Sequence, residues 1–103
     1  APTQAVIMNI TKEHEKACTK LQKELEEHSI RAILDLRNEK ISYKIREHTL
    51  KRIPYLVIIG DREASKNEVS LRTRSGEDLG SFKIDKFIDN IGNLVAEKSN
   101  LLK

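Results

Sequence analysis

The sequence predicts a three-layer α/β/α domain built on a mixed five-stranded sheet with three helices. Three observations lead there. Short apolar runs of strand length, such as Ala5 to Met8 and Tyr55 to Ile59, alternate with longer segments whose apolar residues recur at helical spacing. The first three strands are separated by helices, and strands joined by a helical crossover pair in parallel. The last two strands are separated only by the turn Ser75-Gly76-Glu77-Asp78, which is too short for anything but an antiparallel pair.

Ala5 to Met8 is a continuous apolar run, the pattern of a strand buried on both faces. Thr11 is placed to cap the helix that follows, in which Ala17, Cys18, Leu21, Leu25 and His28 form one stripe. Arg31 to Leu36 is the second strand. The second helix begins around Asn38 and Glu39, with Ile41, Ile45, Thr49 and Arg52 or Ile53 along one side. Pro54 ends it, because the residue before a proline is pushed out of the helical region. Tyr55 to Ile59 is the strongest strand. Gly60-Asp61 reads as a turn, and Glu63 to Asn67 as a polar connection. Glu68 to Arg74 is a strand, Leu79 to Lys83 another. Ile84, Phe87, Ile88, Ile91, Leu94 and Val95 mark a final amphipathic helix, weakened at Gly92.

The length of 103 residues suits a single domain, 1–103, able to bury one core. Hydrophobic content of 38% against 34% charged residues describes a modest core under a heavily charged surface. The 19 Lys+Arg nearly balance the 16 Asp+Glu, so basic character has to be local. The one cysteine, Cys18, forms no pair within the chain, which points to a reducing, cytoplasmic setting. No apolar stretch has the length of a membrane span, and the N-terminal residues lack the pattern of a signal peptide. Entry into an apolar strand within a few residues of Ala1 reads as a cut at a domain boundary.

Catalytic chemistry finds little support. His14, His28 and His48 fall on helical segments and read as surface or half-buried side chains, with no serine or cysteine nucleophile in an activating motif. Cys18 lies on an apolar stripe and reads as a small buried hydrophobe. Asp61 follows a strand as a phosphoacceptor would, but the first strand is followed by Asn9-Ile10-Thr11 rather than by paired carboxylates. The four glycines form no phosphate loop, and no Cys/His spacing suits a metal. No catalytic residue and no metal site is therefore expected.

The basic residues are more informative. Lys40, Lys44 and Lys51 share one side of the second helix, with Glu47 able to pair with Lys51. Arg72 and Arg74, two apart on a strand, leave the sheet on one side while Val69, Leu71 and Thr73 leave it on the other. These arginines either pair with Glu63, Glu68 or Asp78, or present planar forks to bases and phosphates. Aromatic residues are few, with two Tyr, two Phe and no Trp, so a stacking platform of the kind used by many RNA modules is not evident.

The stretches DLRNEKI, KIREHTLKRIPY, GDREA and VSLRTRSGEDLGS, in this order, closely resemble the C-terminal anticodon-binding domain of threonyl-tRNA synthetases. The likeness extends over essentially the whole chain. Ser42 stands where many members have glycine, and the first helix is the least similar stretch. The resemblance implies a recognition module of a larger, ATP-dependent threonine–tRNA ligase that reads the second and third anticodon bases of threonine tRNA. It implies Arg72 and Glu63 beside the second base, a guanine, and Asn38 and Arg52 beside the third, a uracil. Lys40, Lys44, Arg46, Lys51 and Arg74 become candidates for contacts to the RNA backbone. ATP, magnesium and zinc are implied only for a catalytic domain outside these residues, as is a homodimer. The alternative is a free-standing homologue of the domain that serves protein or other RNA contacts.

Overall fold

The computed structural model describes residues 3–91. The chain runs through β1 (Ala5–Asn9), a 3-10 turn (Lys12–His14), α1 (Glu15–Glu27), β2 (Ala32–Asp35), α2 (Ile41–Leu50), β3 (Tyr55–Ile59), α3 (Asp61–Lys66), β4 (Glu68–Thr73) and β5 (Asp78–Lys83). Residues 84–91 are helical, and the expected positions Gly92, Leu94 and Val95 lie outside the described residues. The sheet order is β2-β1-β3-β4-β5. β1 pairs in parallel with β2 and β3, and the β3–β4 and β4–β5 pairs are antiparallel. This is the mixed five-stranded sheet expected.

The strand order dictates the layers. The chain leaves β1 for β2 on one side, then returns past β1 to β3 on the other. Both crossovers must be right-handed, so the two helices land on opposite faces. α1 contributes Cys18, Leu21 and Leu25 to a core with Ala5, Ile7, Tyr55, Val57 and Ile59, which Phe87, Ile88 and Ile91 complete. On the other face Val6, Met8, Leu56 and Ile58 pack with Ile53, Ile41 and Ile45. Alternate residues of β1 therefore serve alternate cores, which explains its unbroken apolar run.

Beyond β3 the apolar core of the described residues continues on one face. Val69 and Leu71 of β4 join the α1-side core, so Ser70 and Arg72 project to the α2 side. A register shift in the β4–β5 pair sets Arg72 opposite Asp78 and Leu71 opposite Gly80. The extra residue is Leu79, and Gly80 takes a φ of +89°. Such a bulge lets Leu79 and Phe82, three apart, both pack on the same core.

Two expectations need correction. Residues 61–66 form a helix rather than a turn and a polar connection, so α3 adds to the three helices foreseen. Its six residues are too few to show an apolar stripe; Glu63 starts it by accepting from the Gly60 amide at 3.0 Å, and Asn67 stops it in the left-handed region. Thr11 makes no side-chain cap; instead Asn9 Nδ2 donates to the Thr11 carbonyl at 2.9 Å.

The second helix departs more sharply. Its fully buried positions are Lys44 and His48, one turn apart. Lys44 is 1% exposed, and its ammonium donates to Asn9 O at 3.2 Å, Asn9 Oδ1 at 2.9 Å and Asp35 O at 3.1 Å. An ammonium has three protons, and here three acceptors meet them. We expect Lys44→Met to destabilise the fold by about 3 kcal/mol or more, because three acceptors lose their donor in a dry site. A urea midpoint unchanged from the unsubstituted chain would refute this.

Candidate nucleic-acid interface

At the carboxyl ends of β1 and β2 a polar network surrounds Lys44. Asp35 receives Arg37 in a two-pronged clamp, Nε to Oδ1 and Nη2 to Oδ2, each at 2.8 Å. His48 Nε2 donates to Asp35 Oδ2 at 2.7 Å, and His48 Nδ1 meets no partner. Arg37 Nη2 also reaches Glu47 at 3.0 Å, and its guanidinium lies 5.9 Å from the centre of the Tyr43 ring. The Arg37 bonds hold the Asp35 carboxyl well below the ordinary carboxylate range, with His48 adding to the effect against the opposing pull of burial. The same guanidinium lowers Glu47. The loop carrying Asn38 is thus held from beneath, while Asn38 and Lys40 themselves are exposed.

Two of the three histidines are more buried than the surface or half-buried groups expected. His48 is buried on Asp35, and His14 is buried with Nε2 2.6 Å from Asp61 Oδ1; only His28 is exposed. Glu13, His14 and Asp61 bring their ligand atoms within 4.8 Å of one another. That grouping joins segments 47 residues apart and leaves no local trace in the sequence. Cys18 is fully buried, and burial pushes its thiol up to about 11.

Lys44 must be withdrawn from the candidate backbone contacts, because its ammonium is buried and saturated. Lys51 is exposed and pairs with Glu47 at 3.5 Å. Lys40, Arg46, Arg52 and Arg74 are exposed and make no ion pair among the described residues. Arg72 has 39% of its side chain exposed and meets Asp78 at 3.9 Å, too long for a strong pair.

Arg52, Arg72 and Arg74 gather where β3 begins. Arg72 stands opposite Leu56, and the Arg74 amide donates to the Pro54 carbonyl at 3.2 Å. Arg52 closes α2 with a φ of +60°, a conformation that costs a non-glycine residue about 1 kcal/mol. A glycine would end the helix more cheaply. Sequence spacing places Arg72 beside Arg74 but gives no sign that Arg52 joins them.

Glu63 lies at the other end of β3. It is 8% exposed, with one oxygen committed to the Gly60 amide. Arg72 and Glu63 are therefore separated by about 10 Å along the strand. Asn38 and Arg52 flank α2 at its two ends, at least about 15 Å apart. No hydrogen bond or ion pair joins either pair, and the members of each lie toward opposite ends of the sheet.

A family model described as the anticodon binding domain matches residues 4–94. The chain belongs to this family. It is 51% identical to a threonine–tRNA ligase of Acinetobacter baylyi and 49% identical to one of Acinetobacter baumannii, in each case across 99% of the chain. It spans only 16% of the length of these relatives. Among solved structures, the RNA-binding domain of a threonyl-tRNA synthetase from Cryptosporidium parvum superposes with a TM-score of 0.83 at 25% identity, over 90% of this chain and 24% of that one. Prolyl-tRNA synthetase of the same organism gives 0.85 at 25% identity over 99% of the chain and 22% of that one. Histidyl-tRNA synthetase from Nostoc, 22% identical with a TM-score of 0.84 over 92% of the chain and 23% of that one, shares the fold. No described helix is long and apolar enough to cross a membrane.

The depressed carboxyl predicts an acid sensitivity of definite sign. Asp35 contributes stability that is complete above the unfolded carboxylate value of about 4 and is lost as pH falls toward its lower folded value. Unfolding midpoints measured from pH 6 to pH 2 should drop below about pH 4. Asp35→Asn should start less stable and lose less over that window; an equal loss in both proteins would assign the acid sensitivity elsewhere.

Proposed function

We propose that this chain is the anticodon-recognition module of a threonine–tRNA ligase. The observation that carries the reading is 51% identity to such a ligase across 99% of the chain. In this reading the ATP-dependent ligation belongs to a catalytic region beyond these residues. ATP, magnesium, zinc and dimerisation belong there too, and the whole works in the cytoplasm.

The α2-side face supplies the contacts. Arg72 donates to the O6 and N7 of guanine at the second anticodon position, and Glu63 accepts from its N1 and N2 through the oxygen that the Gly60 amide does not hold. Asn38 and Arg52 take the third base, a uracil, whose mixed donor and acceptor edge an amide complements. Lys40, Arg46, Lys51 and Arg74 hold phosphates. The weak Arg72–Asp78 pair leaves the guanidinium free to exchange partners at little cost.

The test is a comparison of Arg72→Ala and Arg46→Ala on anticodon stem-loops with guanine or adenine at the second position, at fixed salt. Arg72→Ala should cost the guanine loop about 1–3 kcal/mol and the adenine loop little. Arg46→Ala should weaken both alike and flatten the salt dependence by about 0.7 in the log–log slope. Equal weakening of both loops by Arg72→Ala would make that residue a backbone clamp and defeat base reading.

Binding of the unsubstituted chain to these stem-loops should also weaken with salt, with log K falling against log salt by about 0.7 for each phosphate neutralised. A titration with no salt dependence would remove the phosphate contacts from this account.

A further inference from the structure

Apart from the residues assigned to RNA, one group of side chains has the chemistry of a cation site. Glu13, His14 and Asp61 each offer a ligand atom, and these atoms lie within 4.8 Å of one another. Glu13 and His14 belong to the 3-10 turn after β1, and Asp61 opens α3 after β3. β1 and β3 are parallel neighbours, so both loops leave the same end of the sheet.

The charge of the group is unbalanced. Glu13 and Asp61 are exposed, and among the described residues neither pairs with a lysine or an arginine. Two carboxylates brought this close repel each other. A neutral imidazole beside them leaves that repulsion in place, and a divalent cation removes it.

The ligands are held before any ion arrives. The His14 side chain is 10% exposed, so packing sets the direction of its ring. Its amide donates to Thr11 O at 3.2 Å, and the same carbonyl accepts from Asn9 Nδ2 at 2.9 Å. On the other segment the Ala64 amide donates to Gly60 O at 2.9 Å and the Gly60 amide to Glu63 at 3.0 Å, which fixes Asp61 between them. The Ile10 amide on Ile59 O, at 3.1 Å, ties the two loops together. Ligands positioned in this way lose little freedom on binding.

The spacing also fits. Imidazole and carboxylate ligands stand about 2.1 Å from zinc, which puts ligand atoms around one ion about 3–4 Å apart. The His14–Asp61 contact of 2.6 Å has to open by roughly 0.5 Å to admit the ion, and the long, exposed Glu13 closes the set by rotation. One nitrogen and two oxygens, with no thiolate, suit zinc. The nitrogen selects against magnesium and calcium, which take oxygen ligands.

We propose that Glu13, His14 and Asp61 form a zinc site with three protein ligands, completed by water. His14 binds through Nε2 as a neutral ring with its proton on Nδ1, and the ion replaces the hydrogen bond to Asp61. The ion joins the turn that leads into α1 to the start of α3, across 47 residues of chain, and so stabilises the fold. This site is separate from the zinc assigned to a catalytic region and does not depend on RNA reading.

The test is calorimetric titration of the untagged chain with zinc chloride, beside Glu13→Gln, His14→Gln and Asp61→Asn. His28→Gln is the control, because His28 is exposed and lines a groove with Glu24, Glu27, Asp85 and Asp89, where surface zinc would otherwise collect. One zinc should bind per chain, about tenfold or more weakly in each of the three ligand variants and unchanged in His28→Gln. Zinc should raise the thermal midpoint of the unsubstituted chain but not that of His14→Gln, and magnesium at the same concentration should raise neither. Glu13→Gln carries the test if His14→Gln melts early, since Glu13 has no hydrogen bond or ion pair among the described residues to lose. No saturable binding, loss of binding in His28→Gln, unchanged affinity in the ligand variants, or equal affinity for magnesium overturns the site.

Discussion

One ammonium group organises the end of the sheet on which the loops converge. Lys44 reaches from α2 under the loops and binds the last carbonyls of both β1 and β2, together with the Asn9 side chain. Parallel strands end in carbonyls that have no further ladder partner, and two such ends side by side are an electronegative site that needs a donor. Water would satisfy them but would leave the loops loose. A buried lysine satisfies them and links α2 to both strands in one set of bonds.

Around that group the structure divides its charge. The chain is 34% charged, yet its cations do two different jobs. Lys44 and Arg37 turn inward or sideways onto Asn9, Asp35 and Glu47 and act as fasteners. Arg46, Arg52, Arg74 and, with its long contact to Asp78, Arg72 remain available. The fasteners hold the loop that carries Asn38 and fix the start of α2, whose far end positions Arg52. A recognition surface made of long, flexible side chains gains from rigid anchorage, since each rotamer frozen on binding costs free energy. The bulge at Leu79 serves the same surface from the other side. It turns β5 so that its apolar residues keep the α1-side core while Asp78 comes beside Arg72.

Much of the architecture was legible because it rests on period and punctuation. The unbroken apolar runs of β1 and β3, the proline after α2 and the short turn before β5 are enough to set the sheet and its two modes of pairing. α3 was not legible, because six residues span less than two turns and show no stripe. Its start depends on Glu63 folding back onto Gly60, a local bond that reads in sequence as an ordinary polar loop. Lys44 misled for a related reason: at helical spacing it shares a side with Lys40 and Lys51, and only the crossing of α2 over the strand ends turns it inward.

The sequence by itself determined the alternation of strands and helices, the core-facing positions of β1, β3 and β4, the inert buried Cys18, and through its motifs the family. These are properties of spacing along one segment, or of order along the chain. Tertiary structure decided which charged groups are spent and which remain. That Lys44 and His48 are committed while Arg46 is not, and that Arg74 and Arg72 come beside the start of β3 just after Arg52, depend on contacts between separate segments of the chain. A charge is free or committed according to the acceptors that packing brings within about 3 Å of it, and no local pattern encodes that distance.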